Sequence, residues 1–286
     1  MAFDYQSLKN LQSEAFIDGS ITAATIANTT IVTGDIADGN ITAAKLASNA
    51  VNFTAGTVTG VMPVSKGGTA LSSVGAANTV LRVNGSNNGY EYASIGFSGM
   101  SVFTSSGTWN RPSGVRYVRI KCQAAGGGGS GHGESGAAGG YSERVLEVAQ
   151  NGINSVSVYV GGGGGGTYYA NAGGNGDYAS FGPYCSAGGG HGANRQNQHS
   201  GGVSGAGSGG NLNIHQGGGG SHHDNFGPGG GSYFGGAAPS GHPQGGHFAH
   251  NHQNHSAPGT GGTGGFYHGH RGSDGRPGIV VIEEYK

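Results

Sequence analysis

The chain has 286 residues, 66 of them glycine, with only 9% charged and 34% hydrophobic, so it cannot fill one large apolar core. A net charge of −1, with 13 Lys and Arg scattered rather than clustered, excludes the concentrated basic surface of a nucleic-acid binder. Glycine loses more backbone freedom on folding than any other residue and buries no side chain, so order here needs another source.

The first residues, MAFDYQSLKNLQSEAFIDGS, hold no apolar stretch and read neither as a secretory signal nor as a membrane span. The expectation is a protein made and assembled in the cytosol, whose two cysteines, Cys122 and Cys185, stay free thiols.

From 18 to 59 an aliphatic residue recurs at every fifth position: Ile21, Ile26, Ile31, Ile36, Ile41, Leu46 and Val51. DGSITAATIA at 18–27 returns as DGNITAAKLA at 38–47. A spacing of five matches neither a helix nor a strand, and suits short extended segments broken by turns at Thr33-Gly34-Asp35 and Asp38-Gly39-Asn40. One such ribbon cannot bury its aliphatic row. Three copies around an axis can, which predicts a parallel homotrimer. A weak amphipathic helix is the competing reading, because ITAAKLA also carries apolar residues at helical spacing.

The decapeptide pattern resembles the shafts of phage tail fibres, particularly those of phages of marine cyanobacteria. The resemblance implies a fibrous virion protein assembled in the host cytoplasm. Its residues 1–17 would dock on a baseplate or proximal fibre protein, with Phe3, Tyr5, Leu8, Leu11 and Phe16 as candidate contacts. The next stretch, 60–98, contains PVSKGGT and resembles a hairpin module common in such fibres. Val80, Leu81 and Val83 lead into Asn84-Gly85 and Asn87-Asn88-Gly89, and Tyr90, Tyr92 and Ile95 alternate on the return, which predicts a small β neck.

Residues 99–286 change in composition. FTSSGTWNRPSGVRYVRIKCQAAGGGG at 103–129, with its GTW-x-x-P-x-GV signature, resembles the opening of the glycine-rich domain that ends many phage tail fibres. Strands are expected at Val115 to Gln123, Tyr141 to Ala149, Ile153 to Val160 and Ile279 to Tyr285, with a turn at Gln150-Asn151-Gly152. Val118, Ile120, Val145, Val148, Val156, Val158, Val280 and Ile282 supply the apolar positions of a β-sandwich frame at 115–160 and 279–285.

Between these strands, 161–278 is far longer than an ordinary loop. Its runs Gly161 to Gly166, Gly188 to Gly190, Gly217 to Gly220 and Gly229 to Gly231 can adopt the polyproline II conformation, with three residues per turn and every backbone group left to bond a neighbouring helix. Gly259, Gly262 and Gly265, and then Gly269, Gly272, Gly275 and Gly278, keep that register, with a slip at His268. The fold expected is all-β and fibrous: a trimeric shaft, a β neck, and a sandwich frame carrying a polyglycine II tip. A disordered Gly, Ser and His-rich tail is the opposing reading.

The residues between glycine runs would form recognition loops. The receptor-binding candidates are Tyr168, Tyr169, Asn194, Arg195, His222, His223, Phe226, Tyr233, Phe234, His247, Phe248, His250, His252 and Tyr267. They combine aromatic faces with amide and imidazole donors, suited to a bacterial surface glycan or an outer-membrane protein. All 13 histidines follow residue 131. The pairs His250/His252 and His268/His270, contributed by three chains, are candidate ligands for iron or another transition metal, with no other cofactor expected.

No enzyme is expected. Polysaccharide cleavage needs positioned paired carboxylates, and Glu134, Asp177, Asp224 and Asp274 have no evident partners in sequence. An ice-binding polyproline II bundle and a self-assembling extracellular fibril are the alternatives from other classes.

Overall fold

The computed structural model describes residues 26, 31–37, 40–41, 64, 68–169, 171–194, 201–220, 227–237, 257–265 and 271–286. By compactness the chain divides into two units, Met1–Ser73 and Val74–Lys286. In the first, a 3-10 turn at Thr33–Asp35 falls where the sequence places a turn, and the Asp35 carboxylate accepts from the Val32 N–H at 2.9 Å. Ile26, Ile31, Ile36 and Ile41 of the aliphatic row are exposed. Ile21, Leu46 and Val51 lie outside the described residues.

The second unit is all-β, and no α-helix occurs among the described residues. Its first two strands, β1 (Thr79–Val83) and β2 (Tyr90–Ser94), form the expected antiparallel hairpin. The Asn84 N–H closes the turn on the Gly89 carbonyl at 2.9 Å, and the Asn84 amide donates to Asn88 at 2.9 Å.

Ten more strands build the frame: β3 (Phe97–Phe103), β4 (Gly107–Asn110), β5 (Tyr117–Gln123), β6 (Tyr141–Glu147), β7 (Ser155–Val160), β8 (Ala179–Phe181), β9 (Cys185–Ala187), β10 (Gly207–Ser208), β11 (Leu212–Ile214) and β12 (Ile279–Tyr285). They make two five-stranded sheets, β11-β6-β5-β12-β3 and β10-β9-β8-β7-β4, whose inner faces share one core. The GTW-x-x-P-x-GV signature serves that core directly. Trp109 is buried against Phe181, Gly114 takes a φ of 80° that a side chain resists, and Val115 is buried just after it.

Seven of the eight apolar positions read from the sequence are buried, whereas Val145 is 57% exposed. The pleat of β6 decides this: Ser142 and Leu146 face inward, so Val145 stands opposite Arg119 on the outer face. The turn through Gly152 joins β6 to β7 across the two sheets, not as a hairpin within one. Both cysteines are free and buried. A hydrogen bond to Cys185 and burial push the Cys122 thiol up, which keeps it protonated and inert.

The outer face of the β5 sheet carries a charge ladder. Arg119 pairs with Glu143 at 2.6 Å, and Lys121 pairs with Glu283. The Lys121 hydrogen bond holds Glu283 below the usual carboxylate range. Burial draws Glu143 upward, but the Tyr141 hydroxyl and the Arg119 guanidinium outweigh it and hold it low. Both folded values are therefore depressed, so the stabilisation is present above the ordinary value of 4.5 and is lost as pH falls through the folded values. The melting temperature is expected to hold from neutral pH to about 5 and to drop below about 4. In the double variant Glu143→Gln, Glu283→Gln that drop should shrink; an unchanged acid profile would exclude the ladder as its source.

Where each long strand leaves the sandwich, side chains shrink to Gly and Ala, and the backbone changes period from two to three. In 124–130 successive N–H groups point to three different neighbours. Ala124 and Gly127 donate to Gly140 and Ala137, Ala125 and Gly128 to Asp177 and Gly174, and Gly126 and Gly129 to Arg276 and Ser273, all at 2.9–3.1 Å. The carbonyls are taken by three others: Ala125 by Gly190, Gly126 by Gly164, and Gly127 by Gly262. The segment is thus surrounded by antiparallel neighbours 134–140, 173–177 and 271–278 and parallel neighbours 161–167, 188–193 and 259–265. This is a hexagonal polyglycine II lattice, in which backbone hydrogen bonds replace side-chain packing. Segment 134–140 is surrounded likewise, adding 201–206, 217–220 and 227–231. The expected glycine register is visible in its contacts: a Cβ on Gly272, Gly275 or Gly278 would meet the backbone of Gly129, Gly126 or Gln123.

Candidate recognition surface

The strand-to-lattice joint is sealed by Gln123, which is fully buried. Its Nε2 donates to the carbonyls of Ala124, Gly139 and Gly140 at 3.0–3.2 Å, and its Oε1 accepts from Gln216 at 2.9 Å. One amide thereby caps the Ala124 and Gly139 carbonyls and shares the Gly140 carbonyl with the Ala124 N–H.

From this joint the segments run out and back, and their hydrogen bonds fix which turns share an end. The described ends of five connections, 130–134, 167–173, 193–201, 220–227 and 265–271, lie at the pole away from the sandwich. Their described flanks bond one another there, as in Gly265 to Ser130, Gly227 to Gly133, Ser135 to Gly220, Gly202 to Ser135 and Gly272 to Thr167. The first turn is pinned from within: Ser130 donates to the buried Glu134 carboxylate, while Ser135 bonds the Gly227 carbonyl and accepts from Gly264.

The predicted site residues separate into two groups. Tyr168, Tyr169 and Asn194 lie exposed at the distal pole. Tyr233 and Phe234 lie at the sandwich end instead: Tyr233 stacks on Tyr141 with ring centres 3.8 Å apart and donates its N–H to Gln216. There burial and the Glu143 carboxylate push the Tyr141 hydroxyl far up, so that hydroxyl stays protonated. Arg195, His222, His223, Phe226, His247, Phe248, His250, His252 and Tyr267 lie outside the described residues, as do the candidate metal ligands His268 and His270. The described residues that flank Arg195, the 222–226 group and Tyr267 are at the distal pole. Those flanking the stretch from His247 to His252 are Ala237 and Ala257, in the connection that leaves and rejoins the lattice near the sandwich.

Among the described residues, no group of three or more His, Cys, Asp or Glu is placed to hold a metal, and no helix is long and apolar enough to cross a membrane. Of the carboxylates weighed for catalysis, Asp224 lies outside the described residues, Glu134 pins a turn, and Asp274 accepts from both Arg271 and the Gly166 N–H at 2.7 Å. Sequence reasoning missed Arg271 and Arg276 as surface groups. The signal was there: with Asp274 they form a charged cluster, HRGSDGRPG, in a region otherwise poor in charge.

An antiparallel sandwich whose strands run on into a glycine lattice defines a glycine-rich all-β domain. The family model of the glycine-rich domain matches residues 100–285, from within β3 to the end of β12, and the chain belongs to that family. No curated protein matches the chain.

Proposed function

We propose that the chain is a non-enzymatic adhesin of a phage tail fibre. Residues 1–17 dock on a baseplate or proximal fibre protein, 18–59 form a homotrimeric shaft, 60–98 form the neck, and 99–286 form the tip. The ligand is a bacterial surface glycan or outer-membrane protein, and the location is the virion after assembly in the host cytoplasm.

The observation that carries this reading is the polarity of the tip. The chain enters the sandwich at Phe97, which pairs with Tyr285 at the end of β12 that points away from the lattice, and Lys286 bonds Gly96 there. The described turn residues Tyr168, Tyr169 and Asn194 are at the opposite pole. A lattice bonded in six directions holds them rigidly, which lowers the entropy cost of binding. The exposed row Ile26, Ile31, Ile36 and Ile41 supports the trimer, because partner copies would cover it.

The test uses the full chain. Sedimentation measures its oligomeric state, and adsorption to bacteria is compared with that of variants in which 195–200, 221–226 and 266–270 are replaced by Gly-Ser stretches. A trimer whose adsorption falls at least about tenfold in the loop variants, with melting unchanged, supports the reading. A monomer, or adsorption indifferent to all three loops, overturns it. Adsorption that survives chelator assigns the histidines to direct hydrogen bonding, and loss in chelator assigns them to an iron-type site.

A further inference from the structure

The two cysteines face each other across the sandwich core, Cys122 on β5 of one sheet and Cys185 on β9 of the other. Cys122 Sγ is 3.7 Å from the Cys185 carbonyl oxygen, and the two thiols are hydrogen-bonded to each other. Cys185 Sγ is also 3.3 Å from the Ser142 hydroxyl, and Ser142 stands directly opposite Cys122 in the β5–β6 ladder. Cys185 thus reaches across the sandwich onto the Cys122–Ser142 rung, and the two sulfurs are neighbours in the folded chain.

The pair is asymmetric. Its hydrogen bond to Cys185, and then burial, hold Cys122 as a thiol. The same hydrogen bond, helped by Ser142 and Arg144, draws Cys185 below the usual thiol range against its own burial. Arg144 is fixed beside Cys185 by donating Nη1 to the carbonyls of Tyr184 and Gly209 at 2.7 and 3.2 Å. The turn between β10 and β11 covers Cys185: a Cβ on its Gly209 would stand 3.7 Å from Cys185 Cα. That cover carries no side chain at Gly209, so a local opening of the turn admits an oxidant as small as hydrogen peroxide.

We propose that Cys122 and Cys185 form an oxidation site, in which a peroxide converts the two thiols into a disulfide joining the two sheets. Cys185 gives up its proton and attacks one peroxide oxygen. An S–O bond forms, the O–O bond breaks, and the departing hydroxide takes that proton and leaves as water. The Cys122 sulfur then attacks the Cys185 sulfenic acid. The S–S bond forms, the S–O bond breaks, and hydroxide leaves as water with the Cys122 proton. Two thiols and one peroxide give one disulfide and two waters; the sulfurs lose two electrons and the peroxide gains them. Cys122 is inert while Cys185 draws its proton, and the neutral sulfenic acid ends that hold.

The bond joins the sandwich where the lattice begins. β5 runs on into 124–130 and β9 into 188–193, and the Gly190 N–H of the second segment bonds the Ala125 carbonyl of the first at 2.8 Å. The disulfide therefore staples two sheets and two neighbouring glycine segments at their common origin, and it restricts the unfolded chain. This inference rests on the core alone and is independent of the adhesin reading.

The test treats the reduced full chain with hydrogen peroxide in native buffer, alkylates remaining thiols in denaturant, and maps the peptides without reductant. The expected product is one intramolecular link between 122 and 185, reversed by dithiothreitol, with the melting temperature raised by about 5–10 °C. In Cys122→Ser, Cys185 should stop at a sulfenic acid that dimedone traps. In Cys185→Ser, Cys122 should remain a free thiol. The wild-type map needs no core substitution and decides the pairing by itself. Two thiols still open to alkylation after peroxide, or a link that forms only in the urea-unfolded chain, overturns the site. A linked chain that melts no higher than the reduced one overturns the staple, and a Cys122 oxidised as readily in Cys185→Ser overturns the order of attack.

Discussion

Replacing Gly127 with valine is expected to unfold the glycine lattice. A Cβ there would stand 2.2 Å from the His191 carbonyl oxygen, 2.3 Å from its carbon and 2.5 Å from Gly192 N, all backbone atoms. No side chain can swing aside, so segments 124–130 and 188–193 must part. That breaks the bonds Gly190 N–H to Ala125 and Ala193 N–H to Gly128, now 2.8 and 2.9 Å, in a place where water cannot replace them. Each buried group left unpaired costs about 1–3 kcal/mol. Four such groups sum to roughly 4–12 kcal/mol, comparable with the whole stability of a domain at about 5–15 kcal/mol. Gly165→Val, whose Cβ meets open space, should be close to wild type. Urea unfolding followed by circular dichroism separates the two, and a Gly127→Val chain as stable as Gly165→Val would refute the lattice packing.

The second large effect is expected at Trp109. Its ring fills the sandwich core 5.6 Å from Phe181, and its Nε1 donates to the buried Glu284 carboxylate at 2.9 Å. Trp109→Ala opens a cavity costing about 3–5 kcal/mol. It also removes one of the two side-chain donors to Glu284 Oε1, leaving the Ser101 hydroxyl at 2.9 Å. Trp109→Phe keeps most of the ring but not the N–H, so it should lose only about 1–3 kcal/mol. Chemical denaturation of both variants checks the split. Equal losses would show that the hydrogen bond to Glu284, rather than the ring volume, dominates.

Much of the frame could be read directly from residue order. The hairpin of β1 and β2 and the strands β5, β6, β7 and β12 carry alternating aliphatic or aromatic residues next to Asn-Gly or glycine punctuation, a signal that survives without knowledge of partners. β3 was missed because FSGMSVF mixes small and apolar residues without clean alternation. β8 to β11 were missed because segments such as ASF, CSA and GS are too short to show any period. Val145 was misplaced because, in a strand flanked by apolar residues on both sides, only cross-strand register says which face a valine takes. Of the candidate site, aromatic and imidazole loops could be found as interruptions of glycine runs, but sequence alone put Tyr233 and Phe234 with Tyr168 and Tyr169, although the lattice sends them to opposite ends.

The division has a physical cause. Residue order dictates local conformation: alternation makes strands, and glycine every third residue permits the three-fold helix, because both depend on each residue's own sterics and its immediate neighbours. It cannot say which carbonyl the Gly126 N–H will find, since one glycine helix offers the same backbone groups as any other and no side chains distinguish them. That choice came from the sandwich, whose antiparallel strand order hands each glycine segment its starting position and direction. The pairing of Gly126 with Arg276 and the common pole of the described turn ends both follow from it.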